Sequence, residues 1–404
     1  MKGLPALEIT YRTPDHRQLP HVVKFSGGRS SALLLFGLLA NDQLDPQRGD
    51  VVVFNNTSAE HTRTYDFVIR CKEEAERLSD VPFLLTEFQT YETARDGFWR
   101  RAKSWRLANP CLWSSDEPNG LRYGGEIFEE AIALNTRLPN RFQRLCTDHL
   151  KVQVTRNMLS EWFSGEPATR RLGHYHEISQ VTDREIARSY QGSSLSEREL
   201  LRYVRFLRTC PLVRPSQSYA HFTSAHRVVV ERLRDQALDG RVAMGGEGAV
   251  PYVTVLGLRA DEPGRVGNIL NRPQGDGAIP CFPLYDAGLA SEDVLAFWRG
   301  QEWDLDLDSR YSNCTFCFMK GIRTLRAIAK EPKAQAPGPS QLQWWANLEA
   351  RYQRNIEEVR DGERTGQTSR FGFFGKNSKH TYANLLELDP ADIPLQELPC
   401  HCTD

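Results

Sequence analysis

The sequence predicts an α/β protein with a doubly wound, mostly parallel sheet, and three observations lead to this prediction. A short strand at residues 21–25 runs through a glycine turn into a helix at 30–39. The continuous apolar segment 50–54 has the pattern of a strand buried on both faces. A helix at 64–78 and a third strand at 81–86 follow. Such alternation of strands and helices is typical of parallel sheets covered by helices.

Composition is that of an ordinary globular protein. The chain has 404 residues, 25% of them charged, and a net charge of −1. Because there is no global excess of positive charge, any binding of nucleic acid has to come from a local patch. No run of about 18 apolar residues exists, so we expect no membrane partner. The start of the chain lacks an apolar signal core, which predicts a cytoplasmic protein. Nine cysteines in such a protein indicate metal or redox chemistry before disulfides.

The glycine turn after the first strand has the features of an anion-binding loop, and it spans residues 26–31. Gly27 and Gly28 let the backbone turn sharply and present N–H groups to an anion without a Cβ in the way. The helix that follows begins with unpaired N–H donors and a positive dipole end, so a phosphate fits there. Ser26, Ser30 and Ser31 add hydroxyl donors. The pattern is not that of a Walker loop, and on its own it is equally consistent with a simple turn.

Two segments of the chain interrupt the strand–helix pattern. Residues from about 89 to 140 are irregular, and they either cover a site or form an excursion with its own small core. Residues 165–249 are rich in arginine and glutamate with helical runs. They are interpreted as a helical insertion. Its charged residues either form a solvent-exposed helix face or bind nucleic acid. An amphipathic helix is expected at 341–360, before a tail that ends in Cys400-His401-Cys402-Thr403-Asp404.

The cysteines are candidate metal ligands. Cys314 and Cys317 can bind one metal centre from two sides, but a pair alone also fits two reduced structural thiols. A set of four thiolates would suit either a [4Fe–4S] cluster or Zn²⁺.

Five motifs in a fixed order resemble the phosphoadenosine-phosphosulfate (PAPS) reductase family. They are the Ser-Gly-Gly-x-x-Ser loop, an Asn/Thr turn after the second strand, Cys146-Thr-x-x-Leu-Lys-Val, Gly257-Leu-Arg-x-x-Glu-x-x-Arg, and Cys314-x-x-Cys317 after a Pro-Leu-Tyr-Asp segment. The resemblance covers roughly residues 21–90, 141–164 and 250–325. It implies an adenine nucleotide alpha hydrolase-like, Rossmann-like domain over 1–330 that contains the two insertions. Residues 331–404 lie outside the resemblance and are expected to form a C-terminal helical extension and tail.

The same resemblance implies a role for each matching residue. Ser26, Gly27, Gly28 and Ser31, with Arg29 and Ser30 in the same loop, would hold the phosphates of ATP. Asn55 and Thr57 would lie near the adenosine. Arg259 and Arg265 would neutralise phosphate or sulfate charge, and Asp261 or Glu262 would bind Mg²⁺. Lys151 would reach the same site. Cys146 and Cys281 would join Cys314 and Cys317 as ligands of a [4Fe–4S] cluster, with zinc as the alternative.

Departures from the sulfonucleotide reductases point to another branch of the superfamily. The chain ends in Pro-Cys-His-Cys-Thr-Asp instead of a Glu-Cys-Gly-type motif, and it has Cys146-Thr147 where the cluster-bearing reductases have adjacent cysteines. These features are similar to the ATP pyrophosphatase components of DNA phosphorothioation systems (Dnd or Ssp type). The implied function is an enzyme that adenylylates an acceptor, expected to be a DNA backbone phosphate, for sulfur incorporation with a cysteine desulfurase partner.

Three alternatives stay open at this point. One is a PAPS or adenylyl-sulfate reductase that works with thioredoxin. Another is a nucleotide-sensing scaffold that binds ATP without turnover. The third is a tRNA-thiolating enzyme, since related loops serve that reaction.

Overall fold

A six-stranded sheet forms the centre of the protein. The structure is a computed structural model that describes residues 1–95, 98–164, 196–198, 200–202, 205, 252–271, 278–312, 314–331, 338–360 and 363–388. The strands of this sheet are β1 (His21–Phe25), β2 (Val51–Asn56), β3 (Phe83–Arg95), β4 (Phe98–Leu107), β7 (Tyr252–Leu256) and β8 (Ala278–Cys281), in the order β4-β3-β2-β1-β7-β8. Neighbours pair in parallel, except that β3 and β4 are antiparallel. The predicted α/β class with a mostly parallel sheet is therefore confirmed.

Helices cover both faces of this sheet. The described α-helices are α1 (Arg29–Ala40), α2 (Thr62–Leu78), α3 (Glu126–Asn135), α4 (Leu145–Thr147), α5 (Gln153–Ser164), α6 (Pro263–Leu270), α7 (Pro283–Asp286), α8 (Ser291–Arg299), α9 (Ile322–Lys330) and α10 (Leu342–Tyr352). A π-helical turn at Asp148–Val152 joins α4 to α5. The helices expected at 30–39 and 64–78 are thus present as α1 and α2, within two residues at each end.

Two hydrophobic cores lie on opposite faces of the sheet, because alternate side chains of a strand point to opposite sides. Val23 and Phe25 of β1 belong to a core with α1, α2 and α8, which we call the α1 core. Val22 of the same strand belongs to a core with α3, α5, α9 and α10, which we call the α3 core.

The third strand is longer than the sequence indicates. It was expected at 81–86, but β3 continues to Arg95 and pairs with β4 over ten registered positions, from Thr86–Leu107 to Arg95–Phe98. The segment from about 89 to 140 therefore begins inside the main sheet. It continues through a two-stranded pair, β5 (Asn109–Leu112) and β6 (Gly120–Leu121), to α3.

The expected helix at 341–360 is wrong in its second half. Helix α10 ends at Tyr352, and β9 (Arg354–Arg360) begins a small antiparallel sheet with β10 (Glu363–Gly372) and β11 (Gly375–Lys376). Tyr352 is buried in the α3 core beside Trp345, Phe373 and Tyr382. The described residues after 338 therefore complete a core of the main domain.

Some sequence predictions lie outside the described residues. These include nearly all of the arginine-rich insertion at 165–249 and the tail with Cys400, His401 and Cys402. Within the described part of the chain, no helix is both long enough and apolar enough to cross a membrane.

Candidate functional site

The glycine turn between β1 and α1 has a backbone and close contacts that favour glycine. Gly27 has φ +78°, in the left-handed region. A Cβ on Gly27 would also lie 3.0 Å from methyl carbons of Thr64 and Val68 on α2. The turn is therefore shaped by its own conformation and by close packing against the neighbouring helix.

This turn lies at the point where the sheet reverses its winding. From β1 the chain moves outward through β2 to β3, and it later returns to β7 on the other side of β1. In open α/β sheets ligands bind at such a point, beyond the carboxyl ends of the strands. Gly257, just after β7, approaches α1 so closely that its Cβ would lie 3.3 Å from Ser31 Cα.

A cavity of about 290 Å³ opens beside the turn, and we call it the loop cavity. Gly28 is the N-cap of α1, and no side chain among the described residues caps this helix end. The first amides of α1 are therefore available to a ligand. Ser26 Oγ donates to Ser31 Oγ (3.1 Å), which in turn donates to the Gly28 carbonyl (2.8 Å). The lining includes Lys24, Ser26, Gly27, Gly28, Arg29, Ser30, Ser31, Arg259, Glu262 and Arg265.

Two arginines bring positive charge to the loop cavity from the segment after β7. Arg259 Nη1 donates to Ser30 Oγ (3.1 Å), and its Nε donates to Asp261 Oδ1 (2.9 Å). Arg265 Nη1 donates to Glu262, while its buried Nη2 has no hydrogen-bond partner among the described residues. Burial would raise the pKa of Asp261, but its hydrogen bonds with Arg259 hold that pKa below the usual value. Glu262 lines the cavity, and the described lining does not include Asp261.

Arg29 is held by protein groups at the edge of the loop cavity. Its Nε and Nη2 donate to the two carboxylate oxygens of Asp304, each at 2.6 Å, and its Nη1 donates to the Leu307 carbonyl (2.7 Å). The resemblance placed Arg29 among nucleotide-binding residues, whereas these contacts tie the first residue of α1 to the segment 304–307.

Three of the four predicted cysteine ligands line a second, smaller cavity of about 20 Å³, which we call the thiol cavity. Cys314 pairs with Glu60 in an isolated β-bridge, and its Sγ lies 3.6 Å from Thr57 Oγ1. Electrostatic interactions with all three thiols help to raise the pKa of the buried Tyr382, although burial is the larger cause. The lining residues are Thr57, Phe128, Cys146, Thr147, Lys151, Cys314, Cys317, Phe318 and Trp345.

Cys281 does not join these three thiols. It lies at the end of β8 in the α1 core, and its Sγ donates to the Thr10 carbonyl at 3.6 Å. Burial raises the pKa of Cys281 to about 11, which favours the neutral thiol over the thiolate that binds metal. Cys146, Cys314 and Cys317 contact the other core.

The thiol cavity has the sulfur ligands of a soft-metal site, but its described side chains are too far apart to bind one metal ion. Thiolates suit an iron–sulfur cluster or zinc. Within the described ranges, however, no three His, Cys, Asp or Glu side chains are close enough to hold one metal ion. The remaining candidates for a fourth thiolate, Cys210, Cys400 and Cys402, lie outside those ranges.

Lys151, Asn55 and Thr57 lie away from the loop cavity as far as its described lining shows. Lys151 is on the π-helical turn and lines the thiol cavity together with Thr57. Asn55 bonds to Thr155 (2.9 Å) and accepts from Thr86 (2.9 Å). The expected approach of these residues to a nucleotide therefore stays a prediction, and the observed partners of Asn55 and Thr57 are protein groups.

The two cavities are connected through one segment of chain. Leu305, Leu307 and Asp308 line the loop cavity, and Cys314 and Cys317 line the thiol cavity. Both cavities also meet the carboxyl edge of the sheet, since Ser26 follows β1 and Thr57 follows β2. The same stretch of chain therefore contributes to the lining of both cavities.

Sequence reasoning missed some of the residues that build the site. Gly257 begins the Gly-Leu-Arg-x-x-Glu-x-x-Arg motif, and a glycine at this position is a sequence signal for its close approach to α1. Glu60 had no such signal, although it is 4% exposed and its carboxylate accepts from Thr57 (2.7 Å) and Tyr65 (3.0 Å). Tyr382 donates to the Phe316 carbonyl from a distant part of the chain, which no local pattern reveals.

Comparison with known proteins gives one partial match and no family. No protein-family model and no solved structure matches the chain. The uncharacterized nin region protein ORF290 of Escherichia phage lambda is 34% identical over 80 residues. This alignment covers 20% of the present chain and 25% of the phage protein. It shows a likeness between two segments, and the phage protein's description names no activity.

Proposed function

We propose that this protein is an enzyme of the PAPS reductase-like, N-type ATP pyrophosphatase superfamily that cleaves ATP between its α and β phosphates and adenylylates an acceptor. The supporting observation is the loop cavity. A glycine turn with a left-handed Gly27 opens onto uncapped helix amides, and Arg259 and Arg265 face them at the winding reversal of the sheet.

Catalysis in this proposal depends on position and charge more than on a nucleophile of the protein. An oxygen of the acceptor attacks the α-phosphorus, the bond to the bridging oxygen breaks, and pyrophosphate leaves. The amides of α1 and the arginine guanidinium groups stabilise the charge that develops on the phosphate oxygens. The buried Nη2 of Arg265 has no acceptor among the described residues, and in this proposal the guanidinium turns toward the cavity to donate to a phosphate oxygen. Mg²⁺ would be held by phosphate oxygens and Glu262, the carboxylate that lines the cavity.

The acceptor that we propose is a DNA backbone phosphate, and the purpose of adenylylation is the incorporation of sulfur. Adenylylation makes an oxygen of the acceptor a good leaving group, as AMP. A cysteine desulfurase partner then supplies the sulfur nucleophile that displaces it. The thiol cavity supports this assignment because it gathers three cysteines, and Thr57, which lines it, directly follows strand β2 at the same edge of the sheet as the glycine turn. Those cysteines, with a fourth ligand, would hold a [4Fe–4S] cluster or zinc that supplies a sulfur-handling centre.

Pyrophosphate release from ATP tests the proposal, measured with the full-length protein with and without DNA and the desulfurase. We expect Gly27→Ala to reduce release by about 100-fold, since a small displacement of the phosphates costs that much. Arg265→Gln removes a charge from the same cavity and should lower the rate by a similar factor. The matched control is Gly267→Ala on α6, where a Cβ would meet no atom within 4 Å.

The opposite result is equally well defined. If the protein with its metal centre and partners releases no pyrophosphate, or if Gly27→Ala and Arg265→Gln are as active as Gly267→Ala, the proposal is wrong. Release of sulfite from a sulfonucleotide in place of pyrophosphate from ATP would favour the reductase.

A further inference from the structure

Phe142 is a strongly exposed large apolar side chain, with 88% of its surface open to solvent. It lies at the tip of a loop, residues 136–144, that joins α3 to α4. Exposure of one aromatic ring to this extent has no role in stabilising the fold. A single exposed ring is common on protein surfaces, so it points to a ligand only together with the charges that surround it.

The loop is built to hold this ring outward. Asn140 is 8% exposed, and its Oδ1 accepts from the amides of Phe142 and Gln143, each at 2.9 Å. The Asn140 amide in turn donates to the Gln143 carbonyl at 3.0 Å. Such a closed turn fixes the backbone on both sides of the ring, so presenting Phe142 costs little further conformational entropy.

A glycine on a second element leaves room beside the ring. A Cβ built on Gly375 would lie 3.6 Å from Phe142 Cε2, and Gly375, the first residue of β11, has φ +107°. The next residue, Lys376, has a side chain that is 51% exposed and pairs with Glu358 at 2.7 Å. The ring therefore lies near the start of β11, which also carries a lysine.

Positive charge is concentrated in the same segment, although the whole chain is almost neutral. Residues 137–151 contain four Lys or Arg side chains and one carboxylate: Arg137, Arg141, Arg144, Lys151 and Asp148. Lys103 of β4 lies beside this segment, since its Nζ is 2.8 Å from His149 Nδ1, but burial lowers the pKa of Lys103 and it is not counted among these cations. A surface of this composition attracts a polyanion.

We propose that the loop 136–144 binds a single strand of nucleic acid, with one base on the face of Phe142 and the backbone phosphates along Arg137, Arg141 and Arg144. The inference rests on the proposed function and deepens it, because it assigns contact with the acceptor to this chain. Cys146, which lines the thiol cavity, follows the loop directly.

The combination of ring and charge decides the kind of partner. An exposed phenylalanine alone would equally fit a protein groove, but four cations against one carboxylate disfavour an ordinary protein surface and favour phosphates. A base can lie flat on the ring only when it is unpaired, so a single strand fits and a closed duplex does not.

Fluorescence anisotropy with a fluorescein-labelled 20-nucleotide DNA strand of mixed sequence tests this inference without ATP. Loss of one stacked base costs about 1–3 kcal/mol, so Phe142→Ala should weaken binding by about 5-fold to 150-fold. Phe142→Trp, which keeps an aromatic face, should bind the strand about as tightly as the wild type does. The matched control is Leu78→Ala on α2, another exposed apolar side chain at 48%. The same strand annealed into a duplex should bind more weakly.

A charge arm of the same experiment separates phosphate contact from stacking. Arg137→Gln should weaken binding and reduce its dependence on salt, with Arg77→Gln, an exposed arginine of α2, as the control. The inference is overturned if Phe142→Ala binds the single strand as tightly as Leu78→Ala does. It is also overturned if the wild-type protein binds the duplex more tightly than the single strand. Since no ATP is present, that failure would leave the result for Gly27→Ala untouched.

Discussion

At the scale of single residues, a fully buried network of charges joins the sheet to α3. Glu87 of β3 accepts from Arg122 Nε at 2.8 Å and pairs with Arg106, while Asn56 donates to its other oxygen at 2.7 Å. Arg122 also lies 3.4 Å from Glu130 of α3. Each of these ions is stable in the interior because its partners replace the water it has lost.

Removal of one charge from this network should be strongly destabilising. We expect Glu87→Gln to lower the free energy of unfolding by about 3–5 kcal/mol, because it leaves two arginines buried without their carboxylate. Urea denaturation followed by circular dichroism measures the change. Glu74→Gln, at a solvent-exposed pair with Arg77 on α2, is the control and should unfold almost as the wild type does. Equal stability of the two variants would contradict the assignment.

The same network predicts a dependence on pH. Burial would raise the pKa of Glu87, but Arg122 and Arg106 hold the pKa below its usual value. A carboxylate with a lowered pKa in the folded state stabilises above its unfolded value of about 4.3, and this contribution disappears as the pH falls through the folded value. The stability difference between wild type and Glu87→Gln should therefore shrink below about pH 4.

At the scale of elements, local patterns predicted what local forces determine. Helix α2 and strand β2 have their own periodicity, and both were found close to their expected bounds. The end of α10 was not predictable in this way, because β9 forms only by pairing with β10. The extension of β3 likewise depends on its antiparallel partner β4. Strand formation that requires a partner leaves a weaker signal in the sequence than helix formation does.

The contacts of Arg29 predict a positioning role for it between two elements. Its bidentate pair with Asp304 and its bond to the Leu307 carbonyl join the start of α1 to the segment that also lines the loop cavity. Arg29→Ala should lower the free energy of unfolding by about 1.5–3 kcal/mol, the usual effect of hydrogen bonds to a charged group. Arg29→Lys should recover only part of this, because an ammonium group cannot form the bidentate pair.

A nucleotide-binding measurement distinguishes positioning from direct contact. If Arg29 only positions α1, Arg29→Ala should weaken ATP binding in proportion to its destabilisation, and a solution condition that restores stability should also restore binding. ATP binding that stays weak in the stabilised variant would indicate that Arg29 contacts the nucleotide directly. Arg299→Ala, on the surface of α8, serves as the control.

At the scale of the whole molecule, the sheet decides which cysteines can meet. Ala278 and Cys281 of β8 are three positions apart, so they point to opposite faces, and the structure finds Ala278 in the α3 core and Cys281 in the α1 core. The loop residues could be grouped from the sequence because they are contiguous. It could not predict that Cys146, Cys314 and Cys317 share a cavity while Cys281 does not, since that depends on strand register and on which face each helix covers.

This separation leads to a prediction about metal content. In protein purified without air, Cys146→Ser, Cys314→Ser and Cys317→Ser should each lose most of the bound iron and its visible absorption, because each removes a thiolate from the thiol cavity. Cys281→Ser should keep both, since Cys281 belongs to the other core and its raised pKa keeps it a thiol. Cys71→Ser, at another buried thiol of the α1 core, is the matched control. If zinc is the metal, elemental analysis of the same variants should show the same division. A wild-type protein with neither metal, or equal losses from Cys281→Ser and Cys317→Ser, would show that the thiol cavity is not the metal centre.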